Sequence, residues 1–187
     1  MKKAHLTLIT LVAIALGSIT LHSCTKLAKL LNFNLGMQTE TVNVTIPVTT
    51  GVNGVVTVGP ATNRFNVDSF VMAQTGNQLN ASNITSVKLS SVVFTLNNAN
   101  AFNNFQNFES CSASFSSNTN PTPYTVEIAN NPDVFANTLT LPVNGDAELK
   151  SYIGNEFNYT VSGKVRRGTT IPLDCTVSFT FSVKVQG

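Results

Sequence analysis

The clearest pattern in the chain is an alternation close to its C-terminus. From Ile171 to Val185 the odd positions read Ile, Leu, Cys, Val, Phe, Phe, Val, Val, and the even positions read Pro, Asp, Thr, Ser, Thr, Ser, Lys. A period of two puts alternate side chains on opposite faces of a strand. One face is apolar and the other polar, as in an antiparallel strand with a core on one side and water on the other. Burying eight apolar side chains contributes roughly 10–20 kcal/mol gross. A slip of one residue would turn all of them into water, so the register is fixed. The strand needs a second layer over its apolar face, and the rest of the chain must supply it.

Other segments repeat the pattern over shorter lengths. Val42, Val44, Ile46 and Val48 alternate with polar residues, and Pro47 suits an edge or a strand end. Gly51 to Gly54 is turn chemistry before Val55 to Val58, which predicts a hairpin closed by Gly59-Pro60. Phe65, Val67 and Phe70 predict a strand over 64–72 with a bulge near Ser69, and 74–83 reads as a loop. Ile84 to Leu96 is a second long strand whose parity changes at Ser90-Ser91, so a bulge or bend is expected there. Further strands follow around Cys111 to Phe115, Tyr124 to Ile128, Leu139 to Val143 and Phe157 to Val165, with Arg166 to Thr170 as a hairpin loop into the last. Asp146 as an N-cap and Gly154 as a stop predict a short helix over Ala147–Ile153. Seven to nine strands, closely spaced turns and one short helix predict an all-β, antiparallel two-sheet β-sandwich of immunoglobulin-like or Greek-key type. A closed β-barrel is the alternative. No fixed-period repeat or internal boundary interrupts it.

The first two dozen residues follow a different rule. Lys2 and Lys3 precede an apolar run, Leu6 to Leu21, that is short for a membrane span. Leu21-His22-Ser23-Cys24 comes next. This resembles the lipobox of bacterial lipoproteins, with His22 departing from the usual small or hydroxyl residue. The resemblance implies cleavage before Cys24 and acylation of that cysteine, which would anchor the chain to lipid without cofactor or metal. In relatives of this class Asp after the cysteine marks inner-membrane retention, so Thr25 points to the outer membrane, on its periplasmic or its surface face. The expected organisation is a removed signal peptide over 1–23, a lipidated tether over 24–40 and a β-sandwich over 41–187. Leu27, Leu30, Leu31 and Leu35 at helical spacing offer a second reading of the tether, an amphipathic segment on the membrane. The body resembles, in a general way, small and mostly uncharacterised β-sandwich lipoproteins of Gram-negative envelopes.

Composition changes the picture in two places. Without Lys2 and Lys3, nine cations face nine carboxylates, and a neutral body gives no electrostatic case for nucleic acid. His5 and His22 both lie in the segment to be removed. Its loss leaves no Ser-His-Asp or Cys-His catalysis and no histidine metal site. With Cys24 committed to lipid, Cys111 and Cys175 remain. Both sit at inward strand positions, and they are a candidate disulfide or two buried thiols.

The remaining candidates each have a plainer reading. Asp146 and Glu148 are paired carboxylates, as a glycosidase or calcium site wants, and equally a helix cap and a favourable charge at a helix start. Asn130, Asn131 and Asp133 offer oxygens, as does any Asx turn before Pro132. Arg166 and Arg167 at a loop tip and Asp174 on the polar face of the last strand read as surface charges. Phe102, Phe105 and Phe108 recur every three residues in an Asn-rich stretch. They form a candidate binding loop or a plug for one end of the sandwich. Tyr124, Tyr152 and Tyr159 are candidate sugar platforms, although the chain lacks Trp. The expected function is a non-catalytic binding or structural role on a membrane-anchored protein, toward a protein or glycan partner. The alternatives are a self-assembling surface or adhesive protein, a carbohydrate-binding module and a histidine-free hydrolase.

Overall fold

The computed structural model describes residues 32–187. Eight strands run β1 Asn32–Ile46, β2 Val55–Arg64, β3 Ile84–Leu96, β4 Phe108–Ser117, β5 Tyr124–Ile128, β6 Thr138–Leu141, β7 Glu156–Val165 and β8 Leu173–Gln186. They form two four-stranded antiparallel sheets, ordered β1-β8-β3-β6 and β2-β7-β4-β5. First pairs with last, second with seventh, third with sixth and fourth with fifth. That nesting is a long ribbon of paired strands rolled up on itself, which defines an eight-stranded jelly roll. The sandwich is thus of Greek-key type. Its strand order is not that of an immunoglobulin-like domain, and the sheets stay open rather than closing into a barrel.

Two expected hairpins are absent for this reason. β1 and β2 lie in different sheets, and so do β7 and β8, so 47–54 and 166–172 cross between layers. Crossings and hairpins use the same Gly and Asn turn chemistry, and only the distant partner distinguishes them. β1 also begins earlier than the expected tether boundary. Asn32 pairs with Gln186 and Leu35 is buried, so residues 32–40 belong to the sandwich. The bulge at Ser90 is present, as a register shift against β8 between Leu89 and Ser91.

Local chemistry explains the helix. Val67–Gln74 forms α1, not the expected strand. The Asn66 side chain accepts from Ser69 N–H at 2.9 Å, satisfying a free donor of the first turn. Val67, Phe70 and Val71 then fall at helical spacing, with Val71 fully buried. Asp68 accepts from Ala81 N–H at 2.8 Å and ties α1 to the turn that follows. The helix expected over Ala147–Ile153 shrinks to one 3-10 turn at Lys150–Tyr152. Asp146 does not cap it and stands in solvent, 3.8 Å from Lys88. No helix among the described residues is long and apolar enough to cross a membrane.

The core follows the C-terminal alternation. Leu173, Cys175, Val177 and Phe179 of β8 are buried in one core with residues of β4 and β7 of the other sheet. Phe115 is the hub of the aromatic packing, with ring centroids 5.2 Å from Tyr152, 5.5 Å from Phe181 and 5.7 Å from Tyr124. A smaller core of Leu35, Val71, Ile84, Val183 and Val185 seals the end beneath α1.

Candidate functional site

Four connections meet at the end where β8 begins: 47–54, 97–107, 129–137 and 166–172. We call this end the tip. Polar side chains that are nearly inaccessible to water lace it together: Thr49, Asn103, Asn104, Asn107, Asn131 and Thr169. Asn104 and Asn107 close a reciprocal cap around the 3-10 turn Phe105–Asn107. Asn107 Oδ1 accepts from Asn104 N–H at 2.9 Å, and its Nδ2 donates to the carbonyls of Phe102 at 3.1 Å and Gly168 at 3.0 Å. Asn131 Nδ2 donates to Phe105 O at 2.7 Å and Phe108 O at 3.0 Å. Thr49 and Thr169 exchange backbone and hydroxyl bonds, and Asn103 Oδ1 accepts from Thr170 N–H at 2.7 Å. A side chain at Gly168 would place its Cβ 2.6 Å from Thr49 O, so only glycine lets these two crossings touch. Among the described residues no buried side-chain nitrogen or oxygen lacks a partner. A fully satisfied buried network holds one geometry.

Arg166 belongs to the same structure. Its guanidinium donates to Gln106 O at 3.1 Å and to Asn131 O, and lies 3.7 Å from Asp133. Arg167 hydrogen bonds Asp133 directly, and that bond holds the Asp133 carboxyl below its usual range. The two arginines, expected to be free at a hairpin tip, instead clamp 129–137 to the tip. The Asn130–Asp133 stretch is used in that clamp: its Asn131 amide is spent on backbone carbonyls and its carboxylate on arginine. Among the described residues no cluster of acidic, cysteine or histidine side chains is arranged to hold a metal.

The phenylalanine triple divides. Phe105 and Phe108 are core residues, each 1% exposed, whereas Phe102 is 79% exposed. The 3-10 turn covers only Phe105–Asn107, so the period of three does not extend back to Phe102. The candidate loop therefore offers one ring, and two plug the sandwich. Other apolar side chains join Phe102 at the tip. Val48, Val52, Val55, Val134 and Phe135 are all exposed, and the one further large exposed hydrophobic among the described residues is Met72 of α1.

The opposite end, the base, is built differently. Beneath α1 the sheets leave a cavity of about 70 Å³, walled by Phe65, Phe70, Phe115, Tyr152, Tyr159 and Phe181 among others. It is roomy enough for water, but its apolar wall gives water few partners. Polar groups stand only at its lip. A bulge between Leu35 and Met37 resets the parity of β1, so Gln38 and Glu40 share the inward row of Val42, Val44 and Ile46. Glu40 accepts from Gln38 Nε2 and from Asn63 Nδ2, each at 3.1 Å. Burial pushes the Tyr159 phenol well above its ordinary range, and the Glu40 carboxylate adds to the rise. Sequence reasoning placed Gln38 and Glu40 in a tether; an inward Glu two positions before an apolar alternation was the available signal.

Cys111 on β4 and Cys175 on β8 are buried free thiols in this structure and line one small gap between the sheets. Burial pushes each thiol up to about 12. Glu148, expected to work with Asp146, is engaged elsewhere. It accepts from Val87 N–H at 2.8 Å, Ser86 Oγ at 2.7 Å and Lys150 N–H at 3.0 Å, which latches 142–155 onto β3. Asp174 accepts from Thr45 at the surface. Tyr124, Tyr152 and Tyr159 pack around Phe115, with Tyr159 buried and the other two half-buried. Cys24 lies outside the described residues.

No family model and no curated protein matches the chain. Viral proteins are among the solved structures it is similar to. One is that of infectious bursal disease virus, Gx strain, with 11% identity over 81% of this chain and a TM-score of 0.41. The chain spans about a third of that protein, 33% of its length. A second is the decameric BFDV capsid protein, with 11% identity over 83% of this chain and all of the other, and a TM-score of 0.36.

Proposed function

We propose that this chain is a lipid-anchored protein of the bacterial envelope whose jelly roll is a non-catalytic binding module, with its tip as the binding surface. One observation carries the reading. The exposed apolar side chains Val52, Phe102, Val134 and Phe135 gather at the end opposite to where β1 begins. β8 runs from tip to base over 14 residues, about 45 Å of strand. A chain held to lipid at Cys24 would enter at the base and carry the tip away from the membrane. Exposed apolar groups on loops already locked by buried amides suit a partner surface, because little ordering entropy remains to be lost on binding. The candidate carboxylates are committed to ion pairs and backbone donors, and this supports binding over hydrolysis.

The test is photo-crosslinking in intact envelopes, with the probe at Phe102 or, as a control, at Met72. The expected result is one discrete adduct from position 102, absent from 72 and lost in Phe135→Ser, on a chain whose mass carries acyl groups at Cys24. An adduct made of two copies of this chain would replace the partner reading with self-assembly. Equal labelling from both positions, or an unmodified amino terminus upstream of Cys24, would overturn it.

A further inference from the structure

Among the described residues four strands lie at sheet edges: β1 and β6 in one sheet, β2 and β5 in the other. A free edge offers a row of backbone donors and acceptors to any strand that can pair with it, and folded proteins guard against this. Three of the edges are guarded along their length. β5 and β6 are short, with five and four residues. β2 carries Pro60, which has no N–H, inside a shift of register against β7 between Val58 and Ala61. β1 is guarded only in its first half, by the shift between Leu35 and Met37 and by the inward polar side chains Gln38 and Glu40. Residues 41–46 read Thr-Val-Asn-Val-Thr-Ile, with no charge, glycine or proline, and hold one register against β8. Alternate residues there turn N–H and C=O outward, and these have no backbone partner among the described residues. We infer that 41–46 pairs with the same segment of a second copy of this chain, antiparallel across a two-fold axis at Val44, which joins two four-stranded sheets into one of eight.

The side chains favour a second copy as the occupant. The inward row of Val42, Val44 and Ile46 stays 8–9% exposed, whereas Val177 and Phe179 of the neighbouring strand are sealed. An added strand that completes the core must bring apolar residues at the same alternation, and this segment is such a strand. The outward row of Thr41, Asn43 and Thr45 is polar and uncharged, so two copies meet without like-charge repulsion. A two-fold contact is self-complementary by construction. With the axis at Val44, Val42 stands opposite Ile46 of the second copy and Asn43 opposite Thr45. An axis at Asn43 would instead set Glu40 against Ile46 in the inward row, a carboxylate against an apolar side chain. The contact is small, so the pair is weak and reversible, with a dissociation constant on the order of 10–100 µM.

Sedimentation equilibrium of the full chain in a density-matched detergent tests this by following mass against concentration. The expected result is a reversible monomer–dimer equilibrium. Asn43 and Thr45 are exposed, so substitutions there spare the core. Asn43→Lys with Thr45→Lys sets like charges opposite each other at both symmetry-related pairs and should weaken the dimer about fivefold or more. Asn43→Glu with Thr45→Lys sets opposite charges in the same places and should tighten it about fivefold. A chain that stays monomeric up to about 1 mM, a dimer indifferent to both double variants, or a dimer weakened by Asn43→Glu with Thr45→Lys would each overturn the inference.

Discussion

Asn107→Leu tests whether buried amides hold the tip. Leucine keeps the branching of asparagine but is bulkier, so the substitution deletes the hydrogen bonds and adds some overpacking at a buried site. Three backbone groups then lose their partners: the Asn104 N–H and the carbonyls of Phe102 and Gly168. Each orphaned buried group costs about 1–3 kcal/mol, and partial relaxation brings the total to about 3–5 kcal/mol. The chain contains its own control. Asn80 to Asn83 closes the same reciprocal cap, with Asn83 Oδ1 accepting from Asn80 N–H at 3.1 Å and its amide reaching Gln186 O at 3.1 Å. That cap sits at the surface, where water replaces what leucine removes, so Asn83→Leu should cost under about 1 kcal/mol. Urea unfolding separates the two. With a slope near 2 kcal/mol/M, Asn107→Leu should lower the midpoint by about 2 M and Asn83→Leu by less than about 0.5 M. Equal shifts would refute the argument, since burial of the network would then contribute nothing beyond local capping.

Further outcomes follow from the same coordinates. Phe102→Ser should leave the urea midpoint within error, whereas Phe105→Ser should cost about 3–5 kcal/mol, because only the second ring fills core space. Cys111 and Cys175, with thiols near 12, should ignore a thiol reagent at pH 8 in the folded protein. Both should titrate fully once the protein is unfolded without reductant, and rapid labelling of the native state would contradict their burial. Burial pushes the Glu148 carboxyl up, but bonds from Val87, Ser86 and Lys150 outweigh it and hold it below its ordinary range. Its stabilisation is therefore complete above the usual carboxylate pKa and lost as pH falls through the lower folded value. The stability gap between wild type and Glu148→Gln should narrow as pH falls through and below the ordinary carboxylate range. A gap independent of pH would place the latch elsewhere.

What was legible in the sequence is what local periodicity encodes. β8 reads directly, because a strand with one wet face alternates and its buried row fixes its register. The bulge at Ser90 reads directly too, as a change of parity. Sheet membership does not. Val165 and Leu173 are joined by a loop with hairpin chemistry, yet Val165 pairs with Phe108 and Leu173 with Ile46. α1 was missed because Phe65, Val67 and Phe70 mimic a strand with a skipped beat. The cap at Asn66 with Asp68 in the first turn was the signal that favoured helix. The tip was least legible. An Asn-rich run looks like a solvated loop until Asn103 meets Thr170 and Asn107 meets Gly168, pairings across more than 60 residues.

The two ends of the sandwich are closed by different physics, and this bears on what each can do. At the tip every buried donor has an acceptor, so any displacement of a crossing breaks several directional bonds at once. A surface on such a frame presents one shape, and a partner must fit it. At the base the closure is apolar: a short helix over a void, with contacts that fade gradually rather than snap. Phe181 shows the difference within one strand. Its neighbour Phe179, deeper in the sandwich, is fully buried, while Phe181 beside the cavity is only partly so. A single rigid shape therefore belongs to the tip, and the apolar base has no comparable frame of directional bonds.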